Sequence, residues 1–312
     1  ETDTKFIAIA CINIVVAANA GGAFSPFGDI TTLMVWQKQI ISFTGFFALF
    51  IPSVVNWLVV AIILNFAVPR VNPKPLEGRA RLRHGAWVVV GLFLLTISMA
   101  VTGHNLLHLP PVAGMMTGLG FLKLFGFYLA RRDERLSYMA KTMMTDTALT
   151  LDSKSEEESM PIRPTYDIYR NLQRAEWDSL MFFYGIIMCV GGLSSFGYLA
   201  AGSEFIYGGL GPTTANVLVG IASAIVDNIP VMFAVLEMNP DMNDGQWLLV
   251  TLTAGVGGSM LSIGSAAGVA VMGQARGIYT FFSHLKWSWA IILGYAASIV
   301  THMWLNASAF AA

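Results

Sequence analysis

The sequence predicts an all-α polytopic membrane protein with inverted repeats, discontinuous helices and a re-entrant hairpin. Composition is the first reason, because 55% of the 312 residues are hydrophobic and only 12% are charged, about half the charged share of a soluble domain. The second is that several apolar runs reach the roughly 20 residues that a helix needs to cross the hydrocarbon. The third is that glycines and carboxylates interrupt three further apolar runs.

Charge and cysteine content exclude several classes of protein. A net charge of −1 argues against a nucleic-acid binder. The two cysteines, Cys11 and Cys189, both lie in apolar runs, which excludes a disulfide scaffold and a cysteine-ligated metal. An intramembrane protease would need a Ser–His pair, two facing aspartates or a metal motif. The sequence holds no HExxH, and the glycine-rich flanks of Asp29 and Asp227 fit helix breaks better than a catalytic pair of aspartates. We expect neither an enzyme nor a cofactor.

Uninterrupted apolar runs predict five spans, each helical because lipid leaves no partner for bare backbone groups. They are 43–68, 86–107, 110–130, 177–200 and 287–309.

Three other apolar stretches predict broken helices. The stretch 5–38 is interrupted between Gly21 and Asp29, and the stretch 246–275 by two glycine-rich runs. The stretch 213–238 carries Asp227-Asn228-Ile229-Pro230 at its middle. Broken backbone at membrane depth is tolerated where it is buried in protein or lines a cavity. The residues expected to break these helices are Gly21, Gly22, Pro26, Gly28, Pro230, Gly257, Gly258 and Gly264.

Lysine and arginine placement predicts the topology. Of 18 such residues, five fall in 70–83 and eight in 131–174, which makes the loops 69–85 and 131–176 cytoplasmic by the positive-inside rule. The connections 201–212 and 239–245 have none. Both connections lie outside if 213–238 is a re-entrant hairpin, whereas a single crossing puts 239–245 inside.

The two glycine-rich breaks predict an internal repeat. Gly21-Gly22 precedes Gly28-Asp29 with the same spacing that separates Gly257-Gly258 from Gly264-Ser265. The two stretches cross the predicted membrane in opposite directions, which is the pattern of an inverted-repeat transporter. We therefore assign 1–68 to the C-terminal part of repeat 1 and 86–309 to repeat 2. The first repeat lacks a hairpin, so we expect an N-terminal truncation of roughly 100 to 150 residues.

Asp29 and Asp227 are the two carboxylates deep in apolar stretches, and an intramembrane carboxylate is a functional candidate by default. Both acids can also cap half-helix N-termini, a role compatible with ion binding. Na⁺ or Li⁺ prefers hard oxygen ligands, and a proton competes for the same carboxylate, so we expect Na⁺ at Asp227 and Asp29. The other expected ligands are Asn19, Ser25, Thr31, Thr32, Asn228, Ser262 and Ser265.

Lys123 lies within the span 110–130. Its side chain either extends to the cytoplasmic surface or neutralises a carboxylate and couples transport to protons.

The residues at the breaks resemble the NhaD-type sodium/proton antiporters of the ion transporter superfamily. The most specific piece is the run from Asn19 to Thr32, supported by Ser223–Pro230, Gly257–Ser265 and Glu176-Trp177-Asp178. The resemblance extends over nearly the whole chain and corresponds to the C-terminal two thirds of a family member. It implies secondary active Na⁺(Li⁺)/H⁺ antiport by alternating access, with two hairpins, elevator-like motion and a homodimer.

The resemblance also implies a lipid-embedded protein of the bacterial inner membrane, or of a plastid membrane in plants. An arsenite or dicarboxylate carrier of the same superfamily is the alternative. An anion site would use hydroxyls, amides and helix N-termini without two acids, so the two aspartates favour a cation.

Overall fold

A computed structural model describes residues 4–69, 85–148 and 177–311, and every regular element in these ranges is a helix. The all-α class is therefore confirmed. Most of the predicted loop 69–85 and the later part of the predicted loop 131–176 lie outside the described residues. The chain forms two compact units, one made of residues up to 77 and from 178 onward, the other of residues 78–177.

The first unit contains most of the helices. Its N-terminal part holds α1 (Thr4–Gly22), α2 (Ile30–Gln37), a 3₁₀ turn (Gly45–Leu49) and α3 (Phe50–Ala67). Its later part begins with α6 (Trp177–Ser195), α7 (Tyr198–Ser203), a π turn (Glu204–Gly208), α8 (Pro212–Ile225) and α9 (Asn228–Met238). It ends with α10 (Asp244–Gly257), α11 (Ala266–Gln274), α12 (Phe281–Leu285), α13 (Ser288–Leu305) and a 3₁₀ turn (Ala307–Phe310).

The second unit is the pair α4 (Ala86–Leu107) and α5 (Pro111–Ala148). The two helices approach closely because a Cβ on Gly114 would lie 2.6 Å from the backbone nitrogen of Ala100. Helix α5 continues to Ala148, into the predicted cytoplasmic loop 131–176, which was expected to be partly helical near its ends. Residues 131–148 contain neither glycine nor proline and many good helix formers, so the helix continues beyond the predicted span.

Within the described residues, five helices are long and apolar enough to cross a membrane, and they lie at 4–22, 45–67, 86–107, 111–132 and 288–305. Their length and apolar composition make the chain an integral membrane protein. The predicted span 177–200 is not one straight helix: Leu180–Ser195 and Tyr198–Gly208 are bent by 83°. The bend follows from Gly197, whose φ of +81° is the left-handed conformation that ends helices.

Helix α10 is the centre of the first unit. Every residue from Gly245 to Gly257 is buried, so the helix has no lipid-facing side. It packs most extensively against α8, and it also contacts α1, α2, α9 and α13. Glycine permits the closest of these approaches, because a Cβ on Gly257 would overlap the backbone of Gly220 in α8.

Helices α8 and α9 form a hairpin. α8 runs parallel to α10, because Gln246 Nε2 donates to Thr213 Oγ1 (2.7 Å) at their beginnings and Ser223 Oγ donates to the Ala254 carbonyl (2.7 Å) at their ends. α8 is about 21 Å long and α9 about 16 Å at 1.5 Å per residue. Residues 239–243 span at most about 20 Å, so α9 must turn back for the chain to reach the start of α10.

Candidate cation site

Two helix breaks are closed by contacts between glycines. At the break between α1 and α2, a Cβ on Gly28 would lie 2.5 Å from the Gly22 carbonyl oxygen. At the break between α10 and α11, a Cβ on Gly258 would lie 2.5 Å from the Gly264 carbonyl oxygen. The same pair of glycines, at the same spacing, therefore brings the two chain segments together at both breaks.

The other residues predicted to break helices have different surroundings. A Cβ on Gly21 would meet no atom within 4 Å, so nothing in the structure requires glycine there. Gly257 is required by its contact with Gly220 in α8 rather than by the break itself. Pro26 is buried within the first break. Pro230 lies in the first turn of α9, where a missing N–H costs no helical hydrogen bond.

Three polar residues stand immediately before half-helices at the breaks. Asp29 precedes α2, Asp227 precedes α9 and Ser265 precedes α11. Asp227 Oδ1 accepts a hydrogen bond from the Ile229 amide (3.1 Å), and Ser265 Oγ accepts one from the Gly268 amide (3.3 Å). Asp227 can cap the helix and bind a ligand at the same time, because one carboxylate oxygen makes the cap and the other is not used by it.

Two side-chain hydrogen bonds join these breaks across large sequence separations. Asn228 Nδ2, in the hairpin, donates to Asp29 Oδ2 (2.9 Å). Asn19 Nδ2, in the last turns of α1, donates to Ser265 Oγ (3.0 Å). The end of α10 also reaches this region, because Gly255 lies beside the Asp29 carboxylate. Asp227 precedes Asn228 in the chain, so the two carboxylates lie in the same region.

The hydroxyls predicted as ligands fall into two groups. Ser262 Oγ is buried without a hydrogen-bond partner, and the buried Thr31 Oγ1, which lies beside the Asp29 carboxylate, accepts no hydrogen bond. Thr32 Oγ1, in contrast, donates to the carbonyls of Ser25 (2.7 Å) and Asp29 (2.8 Å). Ser25 Oγ accepts a long bond from the Phe27 amide (3.4 Å). The first group offers unused oxygens, and the second group holds the first break together.

The site presents hard oxygen donors. Two carboxylates, two amides and two unused hydroxyls surround the breaks, and the helix end at Gly22 adds carbonyls without intrahelical partners. Among the described residues, no group of three or more His, Cys, Asp or Glu side chains could hold a metal ion. Lys123 lies in α5 of the second unit, and its coupling role stays a prediction.

Sequence comparison gives the chain its family. The chain matches the CitMHS family, described as citrate transporter, over residues 2–255. It is 54% identical over 310 residues to the Na(+)/H(+) antiporter NhaD of Alkalimonas amylolytica and 55% identical over 292 residues to that of Vibrio parahaemolyticus. The chain belongs to the NhaD type of the CitMHS family.

The NhaD-type chain aligns over nearly its whole length but spans only part of each relative. The alignments cover 99% and 94% of the chain, but 63% of the Alkalimonas protein and 70% of the Vibrio protein. Sodium/proton antiporter 1 of Arabidopsis thaliana is 31% identical over 302 residues, covering 93% of the chain and 47% of the plant protein. Each of these relatives is named as an antiporter and none as an enzyme. No solved structure matches the chain.

Several residues that support the site were missing from the sequence predictions. Gly255 lies beside the Asp29 carboxylate. Gly220 has no side chain and therefore lies directly against the backbone of Gly257, and Ser223 joins the hairpin to α10 by a hydrogen bond. Nothing in the sequence distinguishes the two glycines from the many other small residues of apolar helices. Ser223 could have been found, because it stands only four residues before Asp227.

Proposed function

We propose that the protein is a secondary active Na⁺/H⁺ antiporter in which Na⁺ and protons compete for Asp29 and Asp227. The observation that carries the proposal is the hydrogen bond from Asn228 to Asp29 beside Asp227. It brings one carboxylate from a broken helix and one from a hairpin to the same region. The relatives named as Na(+)/H(+) antiporters support this assignment.

The mechanism follows from charge. Two carboxylates repel each other, and a bound Na⁺ or a proton relieves that repulsion. Release of one ion therefore favours uptake of the other, and exposure of the breaks to one side of the membrane at a time converts this competition into exchange. The unused oxygens of Thr31 and Ser262 are the neutral ligands in this scheme. An anion substrate would be repelled by the same two carboxylates.

Li⁺ carries the same charge and prefers the same oxygen ligands, so we propose it as a second substrate. We propose the bacterial inner membrane as the location and a homodimer as the assembly, following the family resemblance. The inverted repeat stays part of the proposal, and the equal glycine contacts at the two breaks support it.

The test removes each charge while keeping the helix cap. Asparagine caps helix N-termini about as well as aspartate, so Asp227→Asn separates ion binding from capping, and Asp29→Asn removes the charge of a residue whose side chain makes no cap hydrogen bond. Exchange is followed in everted membrane vesicles as the dissipation of a proton gradient by added Na⁺ or Li⁺. We expect Asp227→Asn to abolish exchange and Asp29→Asn to lower it at least about tenfold, corresponding to one lost charged ligand.

The matched control is Asp241→Asn, at an exposed acid in the connection that follows the hairpin. It should exchange at the wild-type rate. Wild-type exchange in both site variants, at equal amounts of folded protein, would refute the proposal.

A further inference from the structure

Helices α2 and α9 run side by side from the candidate cation site to one ion pair. Asp29 and Asn228 are in contact at their beginnings, and Lys38 Nζ lies 3.1 Å from Glu237 Oε1 at their ends. The two contacts are separated by the same number of residues in each helix, about 13 Å at 1.5 Å per residue. The helices are therefore parallel and in register, joined at both ends.

Glu237 stands at an unfavourable end of its own helix. It lies in the last turn of α9, where the helix dipole disfavours an acid. Lys38, at the C-cap of α2, is favoured there and supplies the opposite charge. Contact with Lys38 offsets this unfavourable interaction with the helix dipole and joins the ends of the two helices.

Neither helix is fixed by the chain alone. α2 spans only Ile30–Gln37, too short to be stable in isolation, and it follows the break that ends at Asp29. α9 is one arm of a hairpin whose turn is at Asp227. Sliding or separation of α2 and α9 would change the Asn228–Asp29 contact directly.

We propose that Lys38 and Glu237 are positioning residues, whose ion pair holds α2 in register with α9 and thereby holds Asp29 against Asn228. This inference rests on the proposed function, because it assigns the pair a role in Na⁺ binding at the same site. The predicted topology places the ion pair at the outer face. Charge complementarity, rather than the identity of either side chain, is the property that matters.

The first arm of the test measures Na⁺ dependence in everted vesicles for Lys38→Met, for Glu237→Gln and for the exchanged pair Lys38→Glu with Glu237→Lys. Each single variant should raise the half-saturating Na⁺ concentration about threefold to tenfold, with the maximal rate per folded protein within about twofold of wild type. The exchanged pair should restore half-saturation to within about twofold. Lys286→Met and Glu204→Gln, which remove exposed charges outside this ion pair, are the controls.

A purely structural role would lower the amount of folded protein without moving half-saturation. Unchanged half-saturation in both single variants would overturn the inference, and so would an exchanged pair with the combined defects of the single variants.

The second arm does not depend on transport. Spin labels at cysteines replacing Gln37 and Asp241, in a background without other cysteines, report the distance between the ends of α2 and α9. A narrow distance distribution should broaden in each single variant and narrow again in the exchanged pair. If the wild type shows no Na⁺/H⁺ exchange but this pattern holds, the proposed function fails and the positioning role stands. If the distributions are identical in all variants, the positioning role fails.

Discussion

At Gly28 the absence of a side chain allows the first break to close. A Cβ there would lie 2.5 Å from the carbonyl oxygen of Gly22 and 2.8 Å from its Cα. Both atoms belong to the backbone and cannot rotate away. The conformation of Gly28 itself is accessible to other residues, so space rather than backbone freedom requires glycine.

We expect Gly28→Ala to destabilise the protein by about 1 to 3 kcal/mol, the usual cost of forcing an extra carbon into a packed contact. The measurement is the unfolding midpoint in detergent, together with the Na⁺/H⁺ exchange rate. Gly21→Ala is the matched control, because a Cβ on Gly21 meets no atom within 4 Å. Its midpoint should equal or slightly exceed that of the wild type, since alanine favours helix. Equal midpoints for Gly28→Ala and Gly21→Ala would contradict the packing argument.

Asparagine and aspartate have distinct roles in this site. Asn19 and Asn228 donate to oxygens of the other breaks, whereas Asp29 and Asp227 supply charge. The sequence predicts that all four lie at breaks, but not which pairs meet. Their partners are nearly 200 or more residues away, and the spacing of polar residues within one helix carries no information about such contacts.

Among the elements, the short helix α12 links the second break to the rest of the unit. Its residue His284 is fully buried; Nε2 lies 2.8 Å from the Ser259 carbonyl and Nδ1 lies 2.6 Å from the Tyr279 hydroxyl. Because a carbonyl only accepts, Nε2 carries the proton and Nδ1 accepts from Tyr279. His284 lies between the broken helix and the last span, and burial lowers the pKa of its imidazole below the usual 6.5.

This environment predicts a loss of stability in acid. Above pH 6.5 the imidazole is neutral in both folded and unfolded protein, so the free energy of unfolding does not depend on it. Below that pH the unfolded chain takes up the proton first, and stability falls by up to about 1.4 kcal/mol per pH unit until the folded pKa is reached. The measurement compares unfolding midpoints between pH 7.5 and pH 5 for the wild type and His284→Gln.

Glutamine retains a donor for the Ser259 carbonyl and does not titrate, so His284→Gln should lose less stability between pH 7.5 and pH 5. Parallel pH curves for the two proteins would assign the acid sensitivity to other groups.

Helices were easier to predict from the sequence than their bends. Long apolar runs predict helices near the places where α3, α4 and α13 are found, and Gly-Gly pairs predict the two glycine-closed breaks. The bend after Ser195 was not predicted, because a lone Gly197 in an apolar run is common in straight membrane helices as well. The insert 131–176 was expected to be helical near its ends, but its charge composition did not indicate how far α5 continues, which is to Ala148.

Surface ion pairs are also poorly predicted from a sequence. Lys38 and Glu237 stand at the ends of two half-helices, where a charged residue does not by itself indicate a partner in the sequence. Only the alignment of α2 with α9 shows that the two charges meet. Their exposed fractions of 51% and 27% indicate little direct contribution to stability, which is why their effect is expected on the geometry of the site.

On the scale of the whole molecule, charge distribution and helix geometry agree on the hairpin. The parallel packing of α8 and α10 brings the end of α9 back to the end where α8 begins. The connections before α8 and after α9 therefore lie at the same end of these helices. Both connections lack lysine and arginine, as expected for segments outside the cytoplasm.

This agreement predicts which residues a membrane-impermeant maleimide reaches. Single cysteines replacing the exposed residues Glu204 and Asp241 should react in right-side-out vesicles and be protected in everted vesicles. A cysteine replacing the exposed Arg276, beyond α11, should react only in everted vesicles. Cys11 and Cys189 are replaced first in every variant, so that only the introduced cysteine can react. Labelling after the membrane is solubilised gives the total amount of reactive cysteine for comparison.

The decisive comparison is between positions 204 and 241, because a re-entrant hairpin puts them on one side of the membrane and a single crossing puts them on opposite sides. A re-entrant hairpin places both on one side, so their labelling patterns should be identical. A single crossing by α8 and α9 would place position 241 on the cytoplasmic side and reverse its labelling pattern. Residues 239–243 are too short for that arrangement, because they could not return from the far end of α9 to the start of α10. Opposite patterns at 204 and 241 would therefore contradict both the charge argument and the helix packing, and with them the approach of Asp227 to Asp29 from a hairpin.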